Sequence, residues 1–301
     1  MLIADGWGEL ETCVKTMAAD AKRVVFVPNQ GNAGDALIAA GTWQFFEDCR
    51  LNPKIVRRGG LRRGDTALYA GGGNLVPEYS NCERFLRRCL KIGIREALIL
   101  PHTILGHEAL LRELDNRFVL VCRDFASLQR VRSSGTNARI MMAPDMALRI
   151  DTARLFARCS EPRARAALLR DLLTSFKLLD YLRWRRRLAR LGAPLTGHMF
   201  EVIRTDVEAT GEAVGSPERD VSNFYGSKFQ SRAEAERIAC DLLTFFSQAS
   251  HVVTNRLHVG VAAALMGSKV SYLDNSYGKI RAVFEASMLG VPGMRFGLAL
   301  P

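Results

Sequence analysis

The chain has 301 residues, about twice the usual length of one domain, so its length predicts two domains or one large α/β unit. Hydrophobic residues make up 48% of it and charged residues 24%, which excludes disordered, collagen-like and coiled-coil proteins. Forty-two Lys and Arg against 31 Asp and Glu give a net charge of +11. This excess favours anionic partners, whether polyanions, anionic membrane surfaces or small phosphorylated ligands.

The seven cysteines are scattered along the chain, without the paired spacing of a metal site or the density of a disulfide framework. We therefore expect buried, reduced thiols and no metal. No apolar run approaches the ~20 residues of a transmembrane helix. The first ten residues carry Asp5 and Glu9 where a signal peptide has positive charge, so we expect a cytoplasmic protein.

Short apolar runs recur in the first half of the chain, each followed by a cluster of Gly, Asn, Asp, His or Pro and then by a helical stretch. The runs are residues 23–27, 66–70, 97–100, 118–122 and 139–142. This order predicts strands of a parallel β-sheet joined by helices. Ligands of such sheets bind beyond the carboxyl ends of the strands, where all of the polar clusters lie.

Two glycine-rich loops follow the first two of these strands. Residues 29–35 lead into a helix expected to begin near Asp35, and they can bring backbone N–H groups to an anion or simply form a turn with a helix cap. Residues 71–74 contain three glycines in a row, which costs backbone entropy. That cost favours the close approach of a ligand or of another domain.

The second half repeats the same pattern after an Arg-rich interruption. Strands are predicted at residues 198–203, 251–254 and 269–273, and a long helix at 231–247. We therefore predict two Rossmann-like domains that face each other across a cleft. Their bounds are 1–150 and 196–301, joined by a helical connector at 151–195.

The Arg-rich interruption has its own pattern of charge. Residues 163–190 hold nine basic residues and only two acidic ones. One apolar helix face is predicted from the spacing of Leu168, Leu172, Phe176 and Leu179. A packed helix pair with a solvated basic face explains this composition. The alternatives are attachment to an anionic membrane, with Trp184 at the interface among Arg183, Arg185, Arg186 and Arg187, and the binding of nucleic acid. We expect no nucleic acid, because no recognised nucleic-acid module is present.

The sharpest candidate site is the sequence Asn255-Arg-Leu-His258, which follows the predicted strand 251–254. Arg256 offers a cation suited to bidentate binding of phosphate or carboxylate, and His258 can exchange protons near neutral pH. Residues 259–266 predict a buried helix, whose N-terminal dipole favours an anion here. A structural ion pair and a core histidine are the alternative.

Other polar residues beyond strand ends are weaker candidates. Arg123 directly follows a strand and is predicted to point into the cleft, or else to pair with Asp124 or with another surface residue. His102 and His107 are better explained as hydrogen-bonded structural residues, because the sequence gives neither a defined proton-transfer partner.

Six motifs, in this order, resemble those of the polysaccharide pyruvyl transferases. They are residues 29–35, 71–74, the sequence Arg-Asp-Phe-Ala-Ser at 123–127, and residues 143–145, 204–206 and 255–258. The resemblance spans roughly residues 23–290. It implies a fold similar to that of GT-B glycosyltransferases. It also implies transfer of a pyruvyl group from phosphoenolpyruvate to a sugar, as a cyclic ketal.

The resemblance also implies roles for individual residues. The Arg-Leu-His motif is associated with the donor and with catalysis, and it matches Arg256, Leu257 and His258. The predicted donor-binding residues are Arg123, Arg204, Asn255, Arg256 and Leu257. The predicted residues of the acceptor or cleft loops are Asn32, Gly34, Asp35, Gly72, Gly73, Asn74 and Asp145.

Domain 1–150 is then expected to bind the acceptor and domain 196–301 the phosphoenolpyruvate. The expected acceptor is a sugar of a bacterial exopolysaccharide or of its lipid-linked precursor, and neither a metal nor another cofactor is required. Two alternatives stay open. One is a glycosyltransferase that uses a nucleotide sugar, and the other is a non-catalytic protein that binds glycans or anions.

Overall fold

A computed structural model describes residues 6–192, 197–206, 208–209, 216–225, 229 and 231–297. The chain divides into two compact units. The first comprises residues 1–29, 42–149 and 285–287, and the second comprises residues 30–41, 150–284 and 288–301. Each unit contains a parallel β-sheet with helices, which confirms the predicted α/β class.

The first unit is built on a sheet of seven parallel strands. The strands are β1 (Val24–Val27), β2 (Lys54–Ile55), β3 (Thr66–Tyr69), β4 (Gly72–Leu75), β5 (Glu96–Ile104), β6 (Phe118–Cys122) and β7 (Arg139–Met142). Their order is β2-β1-β3-β5-β6-β7, and β4 pairs with β5 beyond the end of β3. The order reverses at β1 and β3, so their carboxyl ends form a topological switch point, the usual place for a ligand.

The helices that accompany this sheet are α1 (Gly6–Ala19), α2 (Ala33–Asp48), α3 (Asn81–Ile92), α4 (Glu108–Glu113) and α5 (Phe125–Ser133). Helix α3 shows why they pack on it. Cys82, Phe85, Leu86 and Cys89 recur at helical spacing and are fully buried in the apolar core. The helix ends where Gly93 takes a left-handed conformation, with φ at 68°.

The second unit has a sheet of four parallel strands in the order β11-β10-β9-β8. The strands are β8 (Met199–Val202), β9 (His251–Thr254), β10 (Lys269–Tyr272) and β11 (Met294–Phe296). The helices are α6 (Thr152–Ser160), α7 (Pro162–Thr174), α8 (Leu178–Gly192), α9 (Arg232–Phe246), α10 (Leu257–Leu265) and α11 (Lys279–Ser287).

The region predicted as a connector is part of the second unit, because helices α6 to α8 pack against α9. Buried carboxylates on α9 form ion pairs with basic side chains of that region. Lys177 Nζ lies 3.0 Å from Glu234 Oε1, and Arg158 Nε lies 2.8 Å from Glu236 Oε2. Part of the basic excess of this region therefore neutralises α9 instead of facing solvent.

The predicted single apolar face across residues 168–179 is wrong, because the chain turns between α7 and α8. Phe176 has φ at 57°, and the Lys177 N–H donates to the Leu172 carbonyl at 2.9 Å, which closes α7 with a Schellman-type cap. Leu172 is buried, whereas Phe176 is 93% exposed at the turn. Trp184 is fully buried against Tyr225, so its predicted place at a membrane interface is also wrong.

Two predicted loops of the first unit are strands instead. Residues 72–75 form β4, and β5 continues through Pro101 and His102 to residue 104. A proline interrupts strand pairing, and here the register between β5 and β6 shifts between Ile99 and His102. Two further strands, β2 and β11, were not predicted.

The cysteines are unlinked thiols, and all but Cys13 are buried. Burial raises the pKa of the Cys122 thiol to about 12. None of the described helices is both long enough and apolar enough to cross a membrane.

Candidate active site

Helix α10 begins directly after strand β9, and its first residues carry the Arg-Leu-His motif. Arg256 is the N-cap residue, but its side chain makes no capping hydrogen bond. The N–H groups of the first turn, which include those of Leu257 and His258, are therefore directed outward from the helix start, where an anion is favoured. The helix can lie close to β10 because residue 260 is glycine: a Cβ there would lie 2.3 Å from the Tyr272 ring.

Arg256 is buried between two carboxylates of the same unit. Its Nη2 donates to Asp206 Oδ2 at 2.9 Å and also to Asp220 Oδ2. Its buried Nε has no hydrogen-bond partner among the described residues, and the same is true of Asn255 Nδ2. Since buried donors are rarely left unpaired, these two N–H groups are available to a bound ligand.

A second group of charges surrounds Arg204, which follows β8. Arg204 donates to Asp206 at 2.7 Å and to Glu208 at 2.5 Å, and its backbone N–H donates to Asn255 Oδ1 at 2.7 Å. Lys279 Nζ, at the start of α11, lies 2.6 Å from Glu208. Arg204 and Asn255, both predicted to bind the donor, are thus brought together with Arg256.

Two carboxylates of this cluster, those of Asp206 and Glu208, have lowered pKa values. Burial raises the pKa of Asp206, but hydrogen bonds and charge from Arg204 and Arg256 outweigh it and bring the pKa to about 2. In Glu208, burial is likewise outweighed by Lys279 and Arg204, and the pKa is again about 2. Asp206 and Glu208 are therefore ionised at neutral pH, and the cluster contains as many carboxylates as basic side chains.

The start of helix α2 belongs to the second unit and lies against His258. A Cβ at Gly34 would lie 3.1 Å from both Cβ and Nδ1 of His258, so the glycine allows this close approach. The helix begins at Ala33, two residues before the predicted start. Asn32 Oδ1 accepts the Gly34 N–H at 2.8 Å and Asp35 Oδ2 accepts the Asn32 N–H at 3.0 Å, so Asp35 completes a capping box and is not the N-cap.

A hydrogen-bond chain joins the two helix starts. Asn32 Nδ2 donates to Asn223 Oδ1 at 3.3 Å, and Asn223 Nδ2 donates to Asp220 Oδ2 at 2.9 Å. Asp220 in turn pairs with Arg256. This arrangement differs from the prediction that placed the whole of residues 1–150 in the first domain, since Asn32, Gly34 and Asp35 lie with Arg256 and His258.

Three more of the predicted loop residues, Gly72, Gly73 and Asn74, lie in the first unit, near its switch point. Asn74 Nδ2 donates to Asn29 Oδ1 at 2.8 Å, and the Asn74 N–H donates to His102 Nε2 at 3.0 Å. His102 is fully buried. Its role here is to fix strand β4, in which Gly72 and Gly73 lie, as the interpretation of a structural histidine predicts.

Arg123 and Asp145 form a buried ion pair in the first unit. Arg123 is 1% exposed, its Nη1 lies 2.5 Å from Asp145 Oδ2, and its Nε donates to Thr103 at 2.9 Å. The prediction that this guanidinium points into an open cleft is therefore wrong for the described conformation. Asp124 caps α5 by accepting the Ser127 N–H at 2.7 Å, so the Arg-Asp-x-x-Ser motif builds the fold around it.

Sequence reasoning missed several members of the charged cluster, namely Asp206, Glu208, Asp220, Asn275 and Lys279. Asp206 belongs to the motif at residues 204–206. Its position could have been predicted, because it is a carboxylate two residues after an arginine at a strand end. The others come from segments with no periodic pattern. No group of three potential metal-binding His, Cys, Asp or Glu side chains occurs in the described part of the chain.

Three comparisons relate the chain to known proteins. Residues 32–277 match the family model for polysaccharide pyruvyl transferases. The chain is 25% identical, over 294 residues, to a Bacillus subtilis (strain 168) protein described as "Putative pyruvyl transferase EpsO", with 89% of this chain and 85% of that protein covered. The fold of the present chain is similar to that of the uncharacterized protein KP1_0663 from Klebsiella pneumoniae, which is known from a crystal structure. The TM-score is 0.73 and the identity 23%, and the match covers 98% of this chain and 100% of that one.

The matched region runs from the cap of α2 to the loop before α11, and so contains Arg123, Arg204, Arg256 and His258. On this evidence the chain is a transferase that belongs to the polysaccharide pyruvyl transferase family.

Proposed function

We propose that this enzyme transfers a pyruvyl group from phosphoenolpyruvate to a sugar of a bacterial exopolysaccharide or of its lipid-linked precursor. The product is a cyclic pyruvate ketal, and phosphate is released. The observation that carries the proposal is the start of helix α10, where a first turn that the Arg256 side chain does not cap, a buried arginine and a histidine occur within three residues.

Phosphoenolpyruvate carries both a phosphate and a carboxylate, so its site needs cations and directed N–H donors. Arg256 supplies the cation, and the first turn of α10 supplies backbone donors and the positive end of a helix dipole. The buried Nε of Arg256 and Nδ2 of Asn255 offer two further donors. We propose that Arg204 acts with them, held in place by Asp206 and Glu208.

The reaction requires proton transfer at two kinds of atom. A proton added to the methylene carbon makes C2 electrophilic, and a sugar hydroxyl then attacks C2 and loses its proton. The C2–O bond to phosphate breaks, and a second hydroxyl of the sugar adds to C2 to close the ring, with its proton leaving on the phosphate or to solvent. We propose His258 as the general acid or base and Arg256 as the group that stabilises the departing phosphate.

We further propose a division of labour between the two units. The second unit binds the donor, and residues Gly72, Gly73, Asn74 and Asp145 of the first unit belong to the acceptor side. The start of helix α2, with Asn32, Gly34 and Asp35, positions the proposed catalytic group, because it lies against His258. No cofactor or metal ion enters this scheme.

The Arg-rich helix α8 supports a proposal about where the enzyme works. Its arginines are exposed, and Leu179 (65% exposed) and Phe176 are apolar residues on the surface beside them. We propose peripheral binding to the anionic inner face of the membrane, where lipid-linked saccharides are assembled.

Incubation of the enzyme with phosphoenolpyruvate and a panel of lipid-linked or model saccharides tests the function. We expect phosphate release together with the mass gain of a ketal on the sugar. His258→Ala should lower kcat by at least about a hundredfold, since general acid–base catalysis contributes that much, while phosphoenolpyruvate binding persists. Near wild-type turnover by this variant would show that His258 is structural.

A further inference from the structure

Helix α8 borders a cavity of about 460 Å³ whose wall is dominated by arginine. The lining residues are Asp180, Arg183, Arg186, Arg187, Arg190 and Phe224. We name this cavity the arginine pocket. It lies in the second unit, outside the cluster around Arg256.

The four arginines reach one pocket because of their spacing. Arg183, Arg186, Arg187 and Arg190 stand three and four residues apart on the exposed side of α8. The opposite face buries Tyr181, Trp184 and Leu188, so the helix is fixed on the body of the unit. The guanidinium groups are therefore carried on a rigid element.

The pocket has an excess of positive charge. Asp180 lies 3.3 Å from Arg183, and the Arg187 guanidinium stacks over the Phe224 ring, 4.6 Å from its centroid. Among the described residues, no carboxylate pairs with Arg186 or Arg190. One acid against four arginines leaves three positive charges unbalanced, which matches a diphosphate ester better than a singly charged phosphodiester.

Apolar side chains continue the same helix face beyond the pocket. Leu179 and Leu182 precede Arg183 and Arg186 by one turn, and both leucines are exposed. Leu179 and Arg186 are seven positions apart and so lie about 10 Å from each other along the helix axis. Phe176 adds a ring that is 93% exposed at the turn before α8. The face thus offers cations for a phosphate head and, next to them, apolar surface for a hydrocarbon chain.

The pocket and the proposed donor site share one short segment of chain. Phe224 lines the pocket, while Asp220, four residues earlier, pairs with Arg256. Four residues span at most about 14 Å, so Phe224 in the pocket and Asp220 at the proposed donor site are no farther apart than the length of a small saccharide. A ligand in the pocket is therefore near enough to be a substrate.

We propose that the arginine pocket binds the diphosphate of a lipid-linked acceptor, with the hydrocarbon chain lying over Leu179, Leu182 and Phe176. This inference rests on the proposed function. It adds that the acceptor is recognised by its diphosphate as well as by its sugar, and that the second unit supplies this recognition.

Binding of farnesyl diphosphate to the full chain, measured by calorimetry without phosphoenolpyruvate, tests the pocket independently of turnover. We expect inorganic diphosphate to bind more weakly than farnesyl diphosphate. The variant Arg183→Gln/Arg186→Gln/Arg190→Gln should bind farnesyl diphosphate at least about tenfold more weakly. The matched control Arg163→Gln/Arg165→Gln/Arg170→Gln removes the same charge from exposed positions of α7, and we expect it to change binding by less than about threefold.

Three results would overturn the proposal. If both triple variants weaken the binding of farnesyl diphosphate equally, the effect is one of general charge. If inorganic diphosphate and farnesyl diphosphate bind with equal affinity, the hydrocarbon chain makes no contact that contributes to binding. Tight binding to phosphatidylglycerol vesicles without binding of farnesyl diphosphate would make the face a membrane surface instead. If the wild-type enzyme transfers no pyruvate to any saccharide, the proposed function fails, while these binding data still decide whether the pocket takes a lipid diphosphate.

Discussion

Gly34 matters for the position of His258 because it has no side chain. Its missing Cβ leaves room for His258, since an added methyl group would lie 3.1 Å from the Cβ and Nδ1 of the histidine. Hydrogen bonds of Asn32 and Asp35 cap the helix around this glycine and fix the position of the helix start. A catalytic group that must be held within about half an ångström of its productive position is sensitive to such a contact.

We predict that Gly34→Ala separates activity from stability. The gain in helix propensity and the tight contact oppose each other, so the free energy of unfolding should change by less than about 1 kcal/mol. Displacement of His258 should nevertheless lower kcat by about tenfold or more. Urea unfolding and steady-state kinetics measure the two effects.

Gly8→Ala is the matched control, because Gly8 lies in helix α1 with open space around its Cα. We expect it to stabilise the protein slightly and to leave kcat unchanged. An unaltered kcat in Gly34→Ala would mean that the position of His258 does not limit the reaction.

At this scale the sequence predicted the residues that carry charge but not their partners. Arg256 and His258 were identified because a cation and a titratable ring followed a strand. Asp220 and Lys279, which define the electrostatics around Arg256 and Glu208, lie in segments without periodicity. Their positions depend on tertiary contacts, which no local pattern encodes.

At the scale of elements, the segment that follows β6 shows how a motif can serve the fold. Arg123 and Asp145 are buried together, and Asp124 caps α5. Removing one member of a buried ion pair costs far more than the pair itself contributes, because the other charge stays buried without compensation.

We predict that Arg123→Met lowers the free energy of unfolding by about 3–5 kcal/mol. The double variant Arg123→Met/Asp145→Asn should recover at least half of that loss, since it removes both charges. Thermal and urea unfolding measure these values. If Arg123→Met is instead as stable as the wild type but has a raised KM for phosphoenolpyruvate, the arginine binds the donor as the sequence predicted.

Most strands and the long helices were predictable because their apolar residues recur with a clear period. Strand β4 was missed because three glycines give no signal of strand propensity, and the end of β5 because it contains Pro101. The turn between α7 and α8 was missed because Phe176 holds a left-handed conformation that glycine usually supplies. For the two strands, pairing within the sheet overrides the local preference, whereas at Phe176 the local hydrogen bonds that end α7 do so.

At the scale of the whole molecule, helix α2 is divided between the units, with residues 30–41 in the second and those from Thr42 onward in the first. A division read from sequence as one cut near residue 150 could not include this, because a continuous helical pattern carries no mark of a boundary. The cut near residue 150 itself was visible, since the strand pattern stops there.

The stability of the molecule in acid should reflect the charged cluster of the second unit. The folded-state pKa values of Asp206 and Glu208 are about 2, below the ordinary values near 4 of an unfolded chain. Their contribution is therefore complete above about pH 4.5 and is lost as the pH falls toward 2. For Glu208 it is on the order of 3 kcal/mol.

Urea unfolding at pH 6, 4 and 3 measures this dependence. We predict that Glu208→Gln is less stable than the wild type at pH 6 and that the difference narrows at pH 3. Parallel stability curves for the two proteins would show that Glu208 does not respond to acid in this way.

The balanced charges around Arg256 also bear on how the enzyme responds to the ionic strength of its surroundings. Asp206, Asp220 and Glu208 already pair with the basic residues of the cluster, so the proposed donor would replace these carboxylates and displace few salt ions. The arginine pocket has one carboxylate for four arginines, so its proposed ligand must compete with dissolved ions. On the two proposals, a change in salt concentration is therefore expected to alter the affinity for the acceptor and to leave the affinity for the donor almost constant.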